Sequence, residues 1–162
     1  MKRSPAGPAP LGLRLAATFF LIGEAAPFAP ATFASLVMLP LIYVFWGWPQ
    51  PVQALLTLAV IWIAVPVSTR AELHYGHDGK AIVIDEVAGM LVTFLFVPAV
   101  QDPRNRLLAL LGGFLLFRVF DVVKPFPANR AQRLPGGLGV VFDDVLAGVY
   151  ANIVLRLGIL LF

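Results

Sequence analysis

Apolar residues along this chain gather into six runs, at about 15–23, 31–46, 52–67, 81–100, 107–123 and 141–162, and the segments between them carry Pro, Gly and charge. Those separators end helices, so the pattern predicts a series of apolar helices joined by short polar connections. A hydrocarbon layer ~30 Å thick needs ~20 helical residues to cross it. The first run is too short for that and is expected to be an interfacial or re-entrant helix, while 31–46 makes a minimal span extended by its flanks. Five spanning helices follow, in an all-α integral membrane bundle.

Composition strengthens this reading. The chain has 162 residues, of which 59% are hydrophobic and only 13% charged, with a mean hydropathy of +0.86; average globular composition is about 45–50% apolar. No shift in composition marks a second domain. One membrane-embedded domain over 15–162 is expected, behind a basic, Pro-rich tail at 1–14. Lys2 and Arg3 resemble the start of a signal peptide, but the apolar core Leu15 to Ile22 is short and no small-residue cleavage site follows, so no cleaved signal is expected. The absence of cysteine removes thiol catalysis, disulfides and thiolate metal sites. The formal charge of +3 comes from bases in short loops, where they read as topology signals and contacts to anionic headgroups, not as a nucleic-acid surface.

Cytoplasmic loops carry the excess of Lys and Arg, which allows the topology to be tested. With the N-terminus inside, Lys2, Arg3, Arg14, Arg70, Lys80, Lys124, Arg130 and Arg133 are inside, against Arg104 and Arg106 outside. Arg156 lies within the last span and must snorkel or pair. On this topology Asp85 and Glu86 begin the third span, Asp121 ends the fourth, and Asp143 and Asp144 begin the fifth, all at the inner end. These five acids can meet at one depth, whereas Asp102 stands alone in the outer loop.

One membrane carboxylate is often a structural partner for a base. Five crowded together cannot all stay ionised without countercharge. Arg118 shares a helical face with Asp121, and Lys124 follows three residues on, but two cations do not balance five acids. A divalent cation does, and hard oxygen ligands select Mg²⁺ or Ca²⁺, Mg²⁺ being held typically by one or two carboxylates with water and phosphate completing its shell. His74 and His77, three apart in a loop without a third His, read as surface residues. The segment Leu134 to Gly139, "LPGGLG", precedes a helix whose first turn is expected to hold Asp143 and Asp144; it is either a plain connection or, with Gly136 and Gly137 turning amides outward near Arg130 and Arg133, a phosphate cradle. Gly89 and Gly148 follow Asp85 and Asp144 by four, either clearing space beside the acid or letting helices touch. Carboxylates repel a phosphate unless a metal lies between them. Phosphoryl chemistry on a lipid headgroup is the leading class.

The blocks "HDGKAIVIDEVAGM" (77–90), "FRVFDVVKPFPANR" (117–130) and "GGLGVVFDDVLAGVY" (136–150) resemble, in order and spacing, the signature blocks of the phosphatidylglycerophosphatase A family of bacterial lipid phosphatases, and "PATFASL" (30–36) resembles its Pro-Gly-Thr-x-Gly-Ser-Leu segment. The resemblance spans residues 30 to about 155. It implies a multi-pass inner-membrane enzyme, with its active site near the cytoplasmic face, that uses Mg²⁺ to hydrolyse the terminal phosphomonoester of phosphatidylglycerol phosphate during phospholipid biosynthesis. Asp85, Glu86, Asp121, Asp143 and Asp144 would be its metal and catalytic acids, and Arg118 and Lys124 would bind the phosphate, with Thr32, Ser35, Gly136 and Gly137 as further phosphate-site residues. Both direct attack by water and a covalent aspartyl-phosphate fit these residues. Thiol chemistry, an Asp-x-Asp-x-Thr or Val nucleophile and the Ser-Gly-His blocks of type 2 phosphatidic acid phosphatases have no counterpart here.

The chain departs from the family pattern at Ala31 and Ala34, where glycine is expected, and Glu24 to Phe28 lacks a Gly-rich lead-in. If that loop needs positive φ, alanine there costs stability. This motivates a non-catalytic lipid-binding member as one alternative. Ion or proton transport is the other, but a relay needs acids spread through the membrane depth, and these cluster at one end.

Overall fold

The computed structural model describes residues 7–161, so Lys2 and Arg3 lie outside the described residues. Eight helices and no strand occur among them: α1 Leu11–Ala17, α2 Ile22–Ala25, α3 Pro30–Phe45, α4 Gln50–Tyr75, α5 Ile84–Phe94, α6 Pro103–Val123, α7 Ala128–Ala131 and α8 Gly137–Ile159. The helices α4 and α8, of 26 and 23 residues, are long and apolar enough to cross a membrane; α3 is apolar but has 16 residues.

The distribution of residues on α4 fits a membrane protein. Its buried positions are the small or polar Gln53, Thr57, Ala64, Ser68 and Ala71, while Leu55, Leu58 and Trp62 face outward, the last 82% exposed. Small residues inward and large apolar residues outward suit a hydrocarbon solvent, in which helices gain from close approach and not from hiding leucines.

The first apolar run folds as α1 and α2 with a turn between, too short to cross. Arg14 of α1 grips Glu24 of α2 through Nε and Nη2, at 2.9 and 2.5 Å, and the Tyr75 hydroxyl at the end of α4 donates to the same carboxylate. The Val83 amide donates to the Ala17 carbonyl at 2.9 Å, fastening this hairpin to the loop that leads into α5.

The run at 81–100 is not one continuous helix. It is helical only over the 11 residues of α5, about 16 Å at 1.5 Å per residue, after which the chain runs irregularly to Asp102. All of α5 is buried, against α3, α4, α6 and α8. A helix end in such a buried place needs protein donors for its carbonyls, because water does not reach it. Asn152 of α8 supplies them: its Nδ2 donates to Val92, Thr93 and Leu95 O at 3.1, 2.9 and 2.9 Å. Arg156 donates through Nη2 to Leu95 O at 3.0 Å and through Nε to Asn152 Oδ1 at 2.8 Å. Arg156 therefore pairs inward instead of snorkelling. Trp46 Nε1 donates to Val97 O, and Gln53 Oε1 accepts the Phe96 amide, which completes the lining of the break.

Two glycines let α5 and α8 touch. A Cβ on Gly148 would lie 2.5 Å from Gly89 O, and one on Gly89 would strike the Phe117 ring and Asp144 O. Between the two readings of these glycines, close helix contact is the one observed. Since Asp85 and Asp144 each precede one of these glycines by one turn, the same contact brings their carboxylates together.

Candidate active site

The site draws on the start of α3, the loop before α5, α5 itself, the end of α6 and α8. Asp85 and Glu86 stand in the first turn of α5, where the helix N-terminus favours negative charge. Asp121 comes from the last turn of α6, and Lys124 caps that helix. Asp143 and Asp144 lie in the second turn of α8 and not in its first, because the helix begins at Gly137, four residues before the apolar run suggested. These residues and Lys124 line a cavity of about 480 Å³, together with Ala29 to Ala31, Asp78 to Lys80, Ile82 and Val122.

Charge pairing divides the five acids into two sets. Asp121 forms an ion pair with Arg118, Oδ2 lying 3.0 Å from Nη1, and has Lys124 Nζ 3.9 Å from Oδ1. Asp143 holds the same ammonium at 2.5 Å. Asp85, Glu86 and Asp144 pair with no base among the described residues, and each has a buried carboxylate oxygen with no hydrogen-bond partner, Oδ1, Oε2 and Oδ2 respectively. Each of these three offers an oxygen within 4.8 Å of the others', and they are only 5%, 7% and 4% exposed. Three buried, uncompensated carboxylates converging on one point are unstable without a positive partner. The donor set, all hard oxygen beside open cavity, fits a divalent cation such as Mg²⁺.

Three of the seven non-glycine residues with positive φ among the described residues line the same cavity, the others being Phe19 to Leu21 and Phe96. Ala29, Asp78 and Lys124 line it with φ of 49°, 51° and 45°, in the left-handed region that non-glycine residues avoid. Pro125 disfavours right-handed helical geometry at Lys124, so α6 stops there, with Lys124 as its left-handed cap. Its tether to Asp143 keeps the ammonium beside the acids.

Other expected site residues fall elsewhere. Ser35 is fully buried, and its hydroxyl donates to Ala31 O at 2.9 Å within α3. Thr32 sits in the first turns of α3, and Ala29, Pro30 and Ala31 line the cavity in place of both side chains. Gly136 and Gly137 do not line it either. The Gly137 amide donates to Thr69 Oγ1 of α4, and a Cβ there would run into Val65 O, so this pair serves helix packing. Ala31 and Ala34 are helical, so neither replaces a glycine that needed positive φ; the strained residue is Ala29, one position before Pro30. His77 Nδ1 contacts Glu72 and His74 Nδ1 contacts Gly7 O, both outside the acidic group. Asp102 caps α6 by accepting the Asn105 amide at 2.8 Å. Sequence reasoning passed over Asp78 and Lys80 as site residues, although both stand in the first signature block.

Comparison with known proteins gives a consistent result. The family model of phosphatidylglycerophosphatase A matches residues 15–159. A Bacteroides thetaiotaomicron protein, provisionally named a phosphatidylinositol-3-phosphatase, is 34% identical over 139 residues, covering 80% of this chain and 82% of its own. Phosphatidylglycerophosphatase A of Escherichia coli K12 is 33% identical over 125 residues, covering 76% and 70%. That of Haemophilus influenzae Rd is 39% identical over 79 residues, covering 48% and 45%. No solved structure matches the chain.

Proposed function

The chain belongs to the phosphatidylglycerophosphatase A family and is a phosphatase, and from that premise we propose that it hydrolyses the terminal phosphomonoester of phosphatidylglycerol phosphate, with Mg²⁺, to phosphatidylglycerol and inorganic phosphate. It does so in a bacterial inner membrane, as a multi-pass protein of about five spans, with the acidic cavity at the cytoplasmic face. The observation that carries this reading is the convergence of Asp85, Glu86 and Asp144, buried and without a protein cation, beside a tethered lysine. The eight Lys and Arg assigned to the cavity end against two assigned to the other support the cytoplasmic orientation of the cavity.

Asp85, Glu86 and Asp144 would hold the metal. A divalent cation held there would supply positive charge against the phosphoryl oxygens and would lower the pKa of a neighbouring water. Lys124, fixed by Asp143 and by Asp121, orients the phosphate, and Arg118 keeps Asp121 in place. The water oxygen bonds to phosphorus while its proton passes to a carboxylate of the cluster. The bond from phosphorus to the glycerol oxygen breaks, and that oxygen takes up from the same carboxylate the proton the water gave it, while the water's other proton stays with the released phosphate. Thr32, Ser35, Gly136 and Gly137 act through the shape of the site and not by direct contact with phosphate.

A second substrate is favoured by one observation, the 34% identity to a relative named for phosphatidylinositol 3-phosphate. Both lipids carry a headgroup phosphomonoester and a backbone phosphodiester. Phosphate release from each, by purified protein in mixed micelles with Mg²⁺ or excess chelator, tests the proposal. Release from phosphatidylglycerol phosphate that stops with chelator, and that Asp144→Asn loses while remaining folded, is expected. Full activity in that variant sinks the assignment, and release from the inositol lipid alone transfers it to the second substrate.

A further inference from the structure

The substrate just proposed has two phosphates, and the acids and Lys124 account for one. The second, the phosphodiester that joins the headgroup to the diacylglycerol, is negative at any working pH and must rest near the same cavity. Most of the wall is unsuited to it. Ala29, Pro30, Ala31, Gly79, Ile82 and Val122 offer no charge, and Asp78 repels it. Lys124 is engaged by Asp143 at 2.5 Å and faces Asp121 at 3.9 Å. Arg130 stacks over the Phe126 ring at 4.9 Å and does not line the wall.

One wall cation is left. Lys80 lines the cavity, is exposed, and forms no ion pair among the described residues. Its loop is held at several points. The Ile82 amide closes a turn onto Gly79 O at 2.8 Å, and the next amide, Val83, is bound by Ala17 O at 2.9 Å. Gly79 packs so tightly on Tyr75 that a Cβ would lie 2.6 Å from the Tyr75 carbonyl oxygen. Asp78, the nearest acid in sequence, has its Oδ2 turned to Gln132 Nε2 at 3.4 Å. The loop therefore presents a free ammonium from a fixed turn at the mouth of the cavity, where a charge costs little to keep solvated and gains from meeting an anion.

We propose that Lys80 forms a second anion subsite that binds the backbone phosphodiester of the lipid, so that the enzyme selects lipids carrying both a phosphodiester and a terminal phosphomonoester. This rests on the phosphatase reading above. It divides the work between two lysines: Lys124 serves the phosphate that reacts, and Lys80 the phosphate that stays with the product.

Short-chain phosphatidylglycerol has the phosphodiester alone, and inorganic phosphate stands for the other group. Titration calorimetry of the full-length protein in detergent with each, for wild type, Lys80→Gln and Lys80→Arg, separates the two subsites without requiring turnover. Lys80→Gln should weaken phosphatidylglycerol binding roughly tenfold, as loss of one charge-assisted contact does, and Lys80→Arg should restore most of it. Inorganic phosphate should bind within twofold of wild type throughout. In turnover, the loss should fall on KM and not on kcat. Unchanged phosphatidylglycerol binding in Lys80→Gln, an equal loss for inorganic phosphate, or a defect confined to kcat would each overturn the subsite. If wild-type protein binds phosphatidylglycerol through Lys80 yet releases no phosphate from any lipid, the phosphatase reading fails and the subsite stands.

Discussion

Adding one methyl group at Gly148 tests the link between helix packing and chemistry. In Gly148→Ala the new Cβ would sit 2.5 Å from Gly89 O, 3.2 Å from Gly89 C and 3.1 Å from Val92 Cβ, where ordinary contact begins at 3.4 Å. The obstacle is backbone, so the helices must part, by ~0.9 Å at the crossing if all the relief comes from separation. Overpacking of this kind costs about 1–3 kcal/mol, against a gain of ~1 kcal/mol from replacing glycine with alanine inside a helix. The net change in stability is therefore a loss of about 0–2 kcal/mol. The change in the site is the larger effect, because Asp85 and Asp144 lie one turn from Gly89 and Gly148, and their oxygens now lie within 4.8 Å of each other. Misplacement by about 1 Å commonly costs ~100-fold in rate. Phosphate release measured across a Mg²⁺ titration should show a loss of at least tenfold in kcat/KM, with a higher Mg²⁺ requirement. Gly158→Ala, on the same helix with nothing within 4 Å of its added Cβ, is the control and should keep full activity. Activity within twofold of wild type in Gly148→Ala would refute the argument that the glycine contact sets the carboxylate geometry.

Three further outcomes follow from the packing. Asn152→Leu should strip donors from the buried end of α5, costing about 2–4 kcal/mol; the thermal midpoint in detergent should fall by roughly 5–10 °C, and an unchanged midpoint would show that the carbonyls find other donors. Ala29→Gly should relieve left-handed strain at φ 49° and raise the midpoint by about 2–4 °C, from ~1 kcal/mol; a fall would mean that the loss of alanine's entropic advantage dominates. The Glu24 carboxyl, hydrogen-bonded by Arg14 and Tyr75, is held down at about 2. With a folded value below the usual ~4.3, its contribution is complete above that pH and is lost as pH falls from about 4.5 towards 2. Glu24→Gln should remove the part of acid destabilisation that falls in this window, and identical acid profiles for variant and wild type would contradict the pairing.

The acids that line the candidate site were legible in the sequence because they stand inside apolar runs. A carboxylate in such a run is conspicuous, and the inner-end topology already placed Asp85, Glu86, Asp121, Asp143 and Asp144 at one depth. Lys80 was harder to see, since an exposed loop lysine resembles any topology signal until a cavity wall is drawn around it. The glycine block at 136–139 misled for a related reason. Glycines that cradle an anion and glycines that let two helices touch are identical as letters, and only the Thr69 partner of the Gly137 amide tells them apart.

Composition and periodicity by themselves determined that this is an all-helical protein with helices long and apolar enough to cross a membrane and with acids set inside apolar runs, because hydrocarbon demands apolar length and makes every buried charge costly. Tertiary structure alone decided how the five acids differ. Asp121 and Asp143 are neutralised by Arg118 and Lys124, while Asp85, Glu86 and Asp144 are left bare, a division set by side-chain distances across three helices. It also decided where the fourth apolar run, at 81–100, stops being a helix. The donors that make that break possible, Asn152 and Arg156, lie some sixty residues further along the chain, and no local pattern can report a hydrogen bond made across a helix interface.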